Sequence, residues 1–326
     1  MEKNRENKER PDFGLIQGEK EKKKDKIYYG KLLIGIVFII MFIEYYAYVF
    51  EVMIKNMNQK NFGYILTLLI IFHILLLLVL IAFISTMKTN PGEIPLYWGF
   101  IIGDEDYKRK RYCLICNAFK PERAHHCSVC NRCVLNMDHH CPWVDNCIGF
   151  YNRKFFMQLL FFVTILTIYI DISEIYFVID MTIKLFKLQI KYSELVHIGF
   201  VIICYLAVFI FSFVIALFFK FHLGLVLNNS TTIESLDKEH EKENEKYNIN
   251  PKDNWEQVFG NEILFWFIPF STKSGKPEGD GLSWKNRDLL SRNDNQNEIN
   301  SNRKIGTNNY ETNFNSNNIP ISAGTK

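Results

Sequence analysis

The chain lacks an excess of charge of either sign, with 38 lysine and arginine residues against 35 aspartate and glutamate residues among its 326. A net charge of +3 over this length gives no support for bulk attraction to nucleic acid. Cysteine is also scarce, and eight residues are too few for a secreted disulfide scaffold. Seven of the eight lie between positions 113 and 147. This clustering indicates a metal site or a catalytic site.

Long apolar runs exclude a single soluble globular domain. A helix needs about 20 residues to cross the hydrocarbon core of a bilayer, and four runs are long enough. The first run begins too late and is too long for a cleaved signal peptide. We therefore predict an all-α polytopic membrane protein with four transmembrane helices, over Leu32–Phe50, Tyr64–Met87, Phe155–Ile179 and His197–Phe219.

Polar residues interrupt these runs at Glu44, His73, Asp171 and Glu174. A carboxylate at mid-bilayer costs roughly 2.5–3.5 kcal/mol on insertion scales. The favoured interpretation is therefore an interfacial position or pairing between helices. A transport pathway, the alternative, would place such groups at the midplane of several helices, and that pattern is weak.

Positive charge is distributed unevenly between the segments outside the apolar runs. Lysine and arginine occur ten times in residues 1–31 and ten times in residues 88–154. They occur only twice in residues 51–63 and three times in residues 180–196. Positively charged segments tend to remain cytosolic, so we expect both termini and the segment 88–154 on the cytosolic side. Structural disulfides are rare in that compartment.

Composition divides the chain into six segments. The polar tail 1–30 and the Asn- and Ser-rich tail 273–326 are expected to be disordered. Between them we expect helices 1 and 2 (31–87), a cytosolic cysteine-rich domain (88–154), helices 3 and 4 (155–220) and a mixed cytosolic region (221–272).

The spacing of cysteine and histidine between positions 113 and 147 repeats. A structural zinc ion takes four nitrogen or sulfur ligands, usually starting from a Cys-x2-Cys knuckle. The unit C-x2-C-x9-H-x6-C occurs twice, offset by 14 residues, which predicts two interleaved Cys3His zinc sites. The first site comprises Cys113, Cys116, His126 and Cys133. The second comprises Cys127, Cys130, His140 and Cys147.

Three members of the cluster remain after these ligands are assigned, namely His125, His139 and Cys141. Cys141 aligns with Cys127 at the 14-residue offset, but Val144 stands where its knuckle partner would be. A cysteine without a knuckle partner, two residues after a histidine, is a candidate nucleophile; a redundant zinc ligand is the alternative. His139 would accept the thiol proton, and Asp138 would orient the imidazole.

Cys141 lies within fourteen residues of the third apolar run, so its thiol is predicted next to the membrane surface. A reactive thiol there suits a substrate with a lipid tail and a polar head. The side chains that could contact phosphates on that head are Lys120, Arg123, His125, Arg153 and Lys154. For Arg153 and Lys154, the positive-inside bias is an equally good explanation.

The residues from Cys113 to Cys147 follow the pattern C-x2-C-x9-H-C-x2-C-x2-C-x4-D-H-H-C-x5-C, which resembles the DHHC family of protein S-acyltransferases, or palmitoyltransferases. Thr231-Thr232-Ile233-Glu234 is similar to the TTxE motif of that family. The stretch from Asn254 to Gly260 fits its NxxxVFG motif. Asn90 departs from the Asp-Pro-Gly often found after the second helix, and this change removes a charge.

The resemblance implies the transfer of a palmitoyl or other long-chain acyl group from acyl-CoA to a protein cysteine. Cys141 would attack the thioester with His139 as base and Asp138 as its orienting group. The acyl-enzyme would then acylate a cytosolic cysteine of a membrane-associated protein. The two zinc ions would be structural. Thr232 resembles the residue that contacts the active-site aspartate, and Asn254 the residue that supports the helix ends.

Two other classes of protein share part of this pattern. A membrane-anchored ubiquitin ligase with a RING domain also has two interleaved zinc sites. Its knuckles are spaced differently, however, and it has no use for Asp138, His139 and Cys141. A non-catalytic zinc scaffold or channel subunit is the second alternative, and it would tolerate the replacement of Cys141 by serine.

Overall fold

The computed structural model describes residues 17–100, 111–187, 191–238, 245–270 and 275–287. Within them, four helices are long and apolar enough to cross a membrane, which confirms the predicted number. Each helix extends beyond its predicted apolar run. The helices are α1 (Gln17–Tyr45), which continues as a π-helix (Tyr46–Ile54), α2 (Phe62–Lys88), α3 (Arg153–Phe186) and α4 (Tyr192–Leu227).

Helix α3 lies at the centre of the bundle. In its most apolar window 61% of the residues are buried, against 22% or less in each of the other three. It packs against α2, α4 and the π-helix. Apolar side chains on the outer helices, such as Phe42 and Ile210, remain exposed. This is the expected pattern for helices whose outer faces contact lipid and whose inner faces pack together.

Polar groups inside the bundle pair across helix interfaces. Asp171 of α3 accepts a hydrogen bond from the Ser212 hydroxyl of α4 at 2.6 Å. His73 of α2 lies 3.2 Å from the Tyr45 hydroxyl of α1. Interhelical pairing, the favoured interpretation of the polar interruptions, is therefore found for these two residues, since lipid offers a polar group no other partner.

In the described part of the cysteine-rich region between α2 and α3, the strands form three antiparallel hairpins. At each tip one residue has left-handed backbone, namely Asn117 (φ 50°), Asn131 (φ 52°) and Asp145 (φ 47°). These positions are 14 residues apart, so the sequence repeat is also a structural repeat with three copies. Asn and Asp tolerate this conformation better than other non-glycine residues. The strands are β1 (Tyr112–Cys113), β2 (Ala118–Phe119), β3 (His125–Cys127), β4 (Arg132–Val134), β5 (His139–Cys141) and β6 (Asn146–Ile148).

The third hairpin is fixed directly to the helix bundle. The Asn146 amide donates hydrogen bonds to the carbonyls of Thr86, Met87 and Thr89, at 3.1, 3.1 and 2.9 Å. The last carbonyls of a helix have no partner within the helix, so these bonds satisfy the end of α2. Gly30 of α1 packs so closely that an added Cβ would lie 2.0 Å from Asp145 Oδ1. The hairpin that carries Cys141 is therefore held at the end of the bundle.

The segments after α4 cover the cysteine-rich region and the bundle end. They comprise α5 (Thr232–Leu236), a 3-10 turn (Glu245–Tyr247), α6 (Pro251–Phe259) and a second 3-10 turn (Ile263–Trp266). Asn254 of α6 donates to the Leu227 carbonyl at 2.7 Å and so satisfies the end of α4.

Two tail boundaries differ from the expectation. Helix α1 begins at Gln17, inside the stretch expected to be disordered, because its Lys and Glu residues favour helix and extend the apolar run. Trp284, inside the second expected tail, is buried with Tyr247 and Phe150. A buried tryptophan contributes enough apolar area to offset the ordering of its segment. The remaining tail residues, 1–16, 273–274 and 288–326, lie outside the described residues.

Candidate active site

The two predicted ligand sets each bring four donor atoms within 4.8 Å of one another. In the first set, His126 Nδ1 lies 3.2 Å from Cys116 Sγ and 3.6 Å from Cys113 Sγ. In the second, His140 Nδ1 lies 3.4 Å from Cys130 Sγ. Tetrahedral zinc with ordinary Zn–S and Zn–N bonds has ligand separations of roughly 3.5–3.8 Å. Both clusters therefore fit a zinc ion.

The local backbone of each cluster also suits thiolate ligands. The Cys116 N–H points to Cys113 Sγ at 3.4 Å, and the Cys130 N–H points to Cys127 Sγ at 3.3 Å. Such N–H groups stabilise negative charge on sulfur. All eight cysteines are free thiols, so none is withdrawn into a disulfide. With four protein ligands each, the clusters are closed sites of the structural type.

Cys141 occupies the position in the third hairpin that a knuckle cysteine holds in the first two. Val144 replaces the partner ligand, and its side chain is buried. The Cys141 thiol is 7% exposed and packs in the same apolar cluster as Ile148, Phe156 and the interior of the helix bundle. The thiol thus lies where the apolar bundle interior meets the cysteine-rich region.

His139 connects Cys141 to Asp138. Positions 139 and 141 are two residues apart on β5, so their side chains lie on the same face of the strand. The His139 Nδ1 donates to Asp138 Oδ2 at 2.6 Å, which leaves Nε2 for the thiol. Burial alone would lower the pKa of His139, but the hydrogen bond to Asp138 and the nearby Cys141 sulfur raise this pKa to about 9.

Asp138 is completely buried and saturated with donors. Thr232 donates its backbone N–H to Oδ1 at 3.0 Å and its hydroxyl to Oδ2 at 2.8 Å. The Arg153 guanidinium lies 3.5 Å from Oδ1. Burial alone would raise the pKa of Asp138, but the charge of Arg153 and the bond from His139 hold it well below its usual range. The carboxylate is therefore ionised and fixed in position.

His222 joins this network, although no sequence pattern predicts it. Its Nδ1 lies 3.9 Å from Asp138 Oδ2, and its ring is 5.6 Å from that of His139. The side chain is 2% exposed and packs edge-on against Phe156 and Phe218. No sequence signal marks it, because it stands alone in an apolar stretch more than 80 residues after Cys141. Asp138, His139 and His222 bring donor atoms together, but the hydrogen bonds of Asp138 indicate a proton-transfer network rather than a metal site.

Arg123, expected from the sequence to contact a phosphate, is buried and paired within the protein. Its guanidinium is 4% exposed and pairs with both carboxylate oxygens of Glu234, at 2.7 and 2.8 Å. It also donates to Asn229 and lies between the rings of Tyr247 and Trp284, with 4.6 and 4.4 Å to their centroids. Burial alone would raise the pKa of Glu234, but Arg123 holds that pKa below its usual value. Arg123 therefore has a structural role.

The other four expected phosphate contacts have different environments. Arg153 is 2% exposed and donates to the Ser230 carbonyl at 2.6 Å, so it too serves the interior rather than a phosphate. Lys154 is also 2% exposed and donates to the Gly275 carbonyl at 3.0 Å. Lys120 and His125 are half-buried. Burial, followed by the nearby charge of Arg111, lowers the pKa of His125 to about 4, so its imidazole is neutral.

Comparison with known sequences agrees with this geometry. A family model described as DHHC palmitoyltransferase matches residues 106–239. The chain is 33% identical to probable protein S-acyltransferase 13 of Arabidopsis thaliana over 288 residues, which cover 79% of this chain and 91% of that relative. It is 30% identical to palmitoyltransferase ZDHHC20 of Bos taurus over 292 residues, 77% of this chain and 75% of the relative.

The matches thus span most of the chain and most of each relative, and these relatives are named as enzymes rather than as ubiquitin ligases or channel subunits. Together with four apolar helices and two metal-competent clusters between the second and third, they establish the class of this protein. The chain belongs to the DHHC palmitoyltransferase family, the protein S-acyltransferases.

Proposed function

We propose that the protein moves a long-chain acyl group, palmitoyl above all, from acyl-CoA to a protein cysteine through an acyl-enzyme on Cys141. One observation carries this proposal. The only cysteine between positions 113 and 147 outside the two ligand sets lies on the same strand face as His139 and packs into the apolar interior of the bundle. A nucleophile with a positioned base, next to an apolar slot, suits a thioester with a long hydrocarbon tail.

In the first step the Cys141 sulfur attacks the carbonyl carbon of the acyl-CoA thioester. Because the pKa of His139 is raised to about 9, its Nε2 takes the thiol proton before the attack, and the resulting Cys141 thiolate forms the new carbon–sulfur bond. When the tetrahedral intermediate collapses, the bond to the CoA sulfur breaks, and His139 returns the proton to the leaving thiolate. The products are free CoA and a thioester between the acyl chain and Cys141.

In the second step the thiol of a substrate cysteine attacks the acyl-enzyme. His139 accepts the proton of the incoming thiol and returns it to Cys141 as the enzyme thioester breaks. One thioester is exchanged for another in each step, so no oxidant, reductant or external energy source is needed. The acceptor is a cysteine of a membrane-associated protein, because the Cys141 thiol sits at the end of a transmembrane bundle.

Asp138 fixes the proton-accepting nitrogen of His139. Its hydrogen bond to Nδ1 holds the imidazole in the tautomer whose Nε2 faces the thiol, and its charge stabilises the imidazolium that forms. Thr232 and Arg153 hold Asp138 in turn. The zinc ions, each held by three cysteines and one histidine, would fix the hairpins and take no part in proton transfer.

Binding of the donor divides between the bundle and the cysteine-rich region. The apolar residues around Cys141 would contact the acyl chain, while the half-buried Lys120 and His125 remain available to the CoA phosphates. Acyl-CoA is made in the cytosol, so this arrangement requires the cytosolic orientation expected from the distribution of lysine and arginine.

The test compares two cysteines at equivalent positions of the repeat. Cys141→Ser should keep both zinc ions and near-normal thermal stability, but lose labelling by palmitoyl-CoA and transfer to protein, because a serine hydroxyl is a far weaker nucleophile. Cys127→Ser should release one zinc and lose several kcal/mol of stability, given the ~10–16 kcal/mol of apparent zinc binding in small finger peptides.

The measurements are metal analysis, thermal unfolding and hydroxylamine-sensitive acyl labelling of the purified full-length proteins. A Cys141→Ser protein that loses zinc would make Cys141 a ligand, and one that still transfers acyl groups would place the nucleophile elsewhere. Either result would overturn the proposal.

A further inference from the structure

Arg153 and Lys154 are consecutive cations in the first turn of α3, but only one of them has a counter-charge. Arg153 lies 3.5 Å from an Asp138 oxygen. Within the described part of the chain, the ammonium of Lys154 has one hydrogen bond, to the Gly275 carbonyl at 3.0 Å, and no carboxylate partner. The ammonium also lies over the ring of Phe265, at 6.0 Å from its centroid.

This arrangement is costly for a lysine that is 2% exposed. A buried ammonium without an opposite charge pays a large desolvation penalty. The amino end of a helix adds an unfavourable field, because its partial positive charge attracts anions and repels cations. The first turn of α3 contains no acidic residue to offset either effect. The described residues therefore supply no anion that balances the charge of Lys154.

A cavity of about 300 Å³ lies at this lysine. A second lysine, Lys276, stands on its rim, and neither aspartate nor glutamate is among the lining residues. Thr89 adds a hydroxyl, and Asn90 adds an amide that donates one hydrogen to Glu93 Oε1 at 3.1 Å and has a second hydrogen to donate. Two cations, two neutral donors and a helix amino end form a site suited to an anion with several acceptor oxygens, which is the chemistry of a phosphate group.

The cavity is on the side of α3 away from the catalytic residues. Each residue of a helix turns about 100°, so positions 153 and 156 share one face and positions 154 and 155 share the opposite one. Arg153 and Phe156 contact the Asp138–His139 pair, whereas Lys154 and Phe155 line the cavity. Lys154, expected from the sequence to contact CoA phosphates, thus lies on the side of α3 away from Asp138 and His139.

We propose that this cavity binds the phosphate group of an anionic membrane phospholipid. It lies where α2 ends and α3 begins, which is the depth at which the headgroups of a bilayer lie around a transmembrane bundle. Anionic headgroups are attracted to lysines at this level. The cavity also has apolar lining from Phe155 and Pro277, which suits the glycerol and first methylenes of a lipid. The binding does not require the acyl-transfer reaction and is independent of the function proposed above.

The experiment measures lipid binding to the full-length, zinc-loaded protein in detergent by native mass spectrometry. The probes are phosphatidylserine and, at the same acyl composition, phosphatidylcholine. We expect the wild-type protein to retain phosphatidylserine in preference to phosphatidylcholine. Lys154→Met, which keeps the length of the side chain, should weaken phosphatidylserine binding about tenfold or more, since a charge-assisted hydrogen bond is lost.

Two surface variants keep the proposal testable even if Lys154→Met folds poorly. Lys276 is exposed, so Lys276→Glu should fold normally and weaken phosphatidylserine binding about fivefold or more. Lys252→Glu is the matched control, because Lys252 is an exposed lysine on α6 whose side chain is 79% accessible, and it does not line the cavity. Its binding should equal that of the wild type.

Separate arms identify the source of the phosphate. Free CoA or inorganic phosphate that displaces phosphatidylserine from the wild type at millimolar concentration would assign the cavity to a soluble ligand and overturn the proposal. Equal retention of the two lipids, or a Lys276→Glu protein that binds phosphatidylserine as tightly as Lys252→Glu, would overturn it as well. Zinc content and thermal midpoint of each variant show that lost binding is not lost folding.

Discussion

Thr232 donates two hydrogen bonds to Asp138, one from its backbone N–H to Oδ1 and one from its hydroxyl to Oδ2. The two residues are 94 positions apart in the chain. The short helix α5 holds Thr232 in place, through a capping box between Thr231 and Glu234 and through the ion pair of Glu234 with Arg123. The position of the Asp138 carboxylate thus depends on contacts well outside the cysteine-rich region.

Thr232→Val removes the hydroxyl bond and keeps the backbone bond and the side-chain shape. We expect the rate of self-acylation by palmitoyl-CoA to fall about tenfold, since a hydrogen bond to a charged group contributes roughly 1.5–3 kcal/mol. Zinc content should not change. Ser235→Ala is the matched control on the same helix, because that hydroxyl donates only to the Thr232 carbonyl and is exposed. Equal rates for Thr232→Val and the wild type would contradict a positioning role for Thr232.

Arg123→Ala should destabilise the fold rather than act on binding of acyl-CoA. It leaves the Glu234 carboxylate buried without its partner, and loss of one member of a buried pair typically costs about 3–5 kcal/mol. The rings of Tyr247 and Trp284 also lose their contact with the guanidinium. Thermal unfolding of the purified protein should show a clear fall in midpoint.

The control for this variant is the ion pair of Lys246 with Glu122, which is partly exposed on both sides. Lys246→Met should change stability by less than about 1 kcal/mol, as exposed pairs do. The folded fraction of Arg123→Ala should keep the wild-type KM for palmitoyl-CoA. A raised KM with unchanged stability would return Arg123 to the list of phosphate contacts.

Substitutions of the adjacent histidines, His139 and His140, should have different effects. His139→Ala should keep the metal content and lose most of the rate of self-acylation, because Cys141 loses its proton acceptor. His140→Ala should lose about one zinc per chain and unfold more easily, since metal binding is part of the folding free energy of such domains. Metal analysis beside acyl labelling separates the two. Equal loss of zinc in both variants would show that the assignment of their roles is wrong.

The features predicted well from sequence are those that repeat locally. Long apolar runs identified the four helices, and the 14-residue period identified both ligand clusters around His126 and His140. The third copy of the hairpin was visible only as the shift from Cys127 to Cys141, because Val144 removes the ligand that would reveal it. A period in sequence survives in structure when each unit folds around its own short-range contacts.

The features that sequence could not supply depend on long-range contacts. Arg123 looks like a free cation in the sequence, and only the folded chain brings Glu234, Tyr247 and Trp284 around it. His222 reaches Asp138 from the far end of α4 for the same reason. No periodicity or spacing records a contact between residues a hundred positions apart, so charge alone was a poor guide to which side chains remain available for a ligand.

The last prediction concerns orientation in the membrane. Four spanning helices place both ends of the chain on one side, and the excess of lysine and arginine before α1 and between α2 and α3 predicts that this side is cytosolic. A cysteine introduced at Lys24 should therefore react with a membrane-impermeant maleimide only after the plasma membrane of cells is permeabilised. If the protein resides in internal membranes, selective permeabilisation of the plasma membrane alone should allow this cysteine to be labelled.

Cysteines introduced at Lys60 and Lys187 test the opposite side of the membrane. Both positions are exposed, one between α1 and α2 and the other at the end of α3. Both should behave alike and differ from Lys24, since each lies in a connection with few positive charges. The unaltered chain gives the background, because its native thiols are largely buried. If the cysteines introduced at positions 24 and 187 are labelled from the same side, the four-span topology is contradicted. If the two sides are reversed, Cys141 does not face the compartment that supplies acyl-CoA.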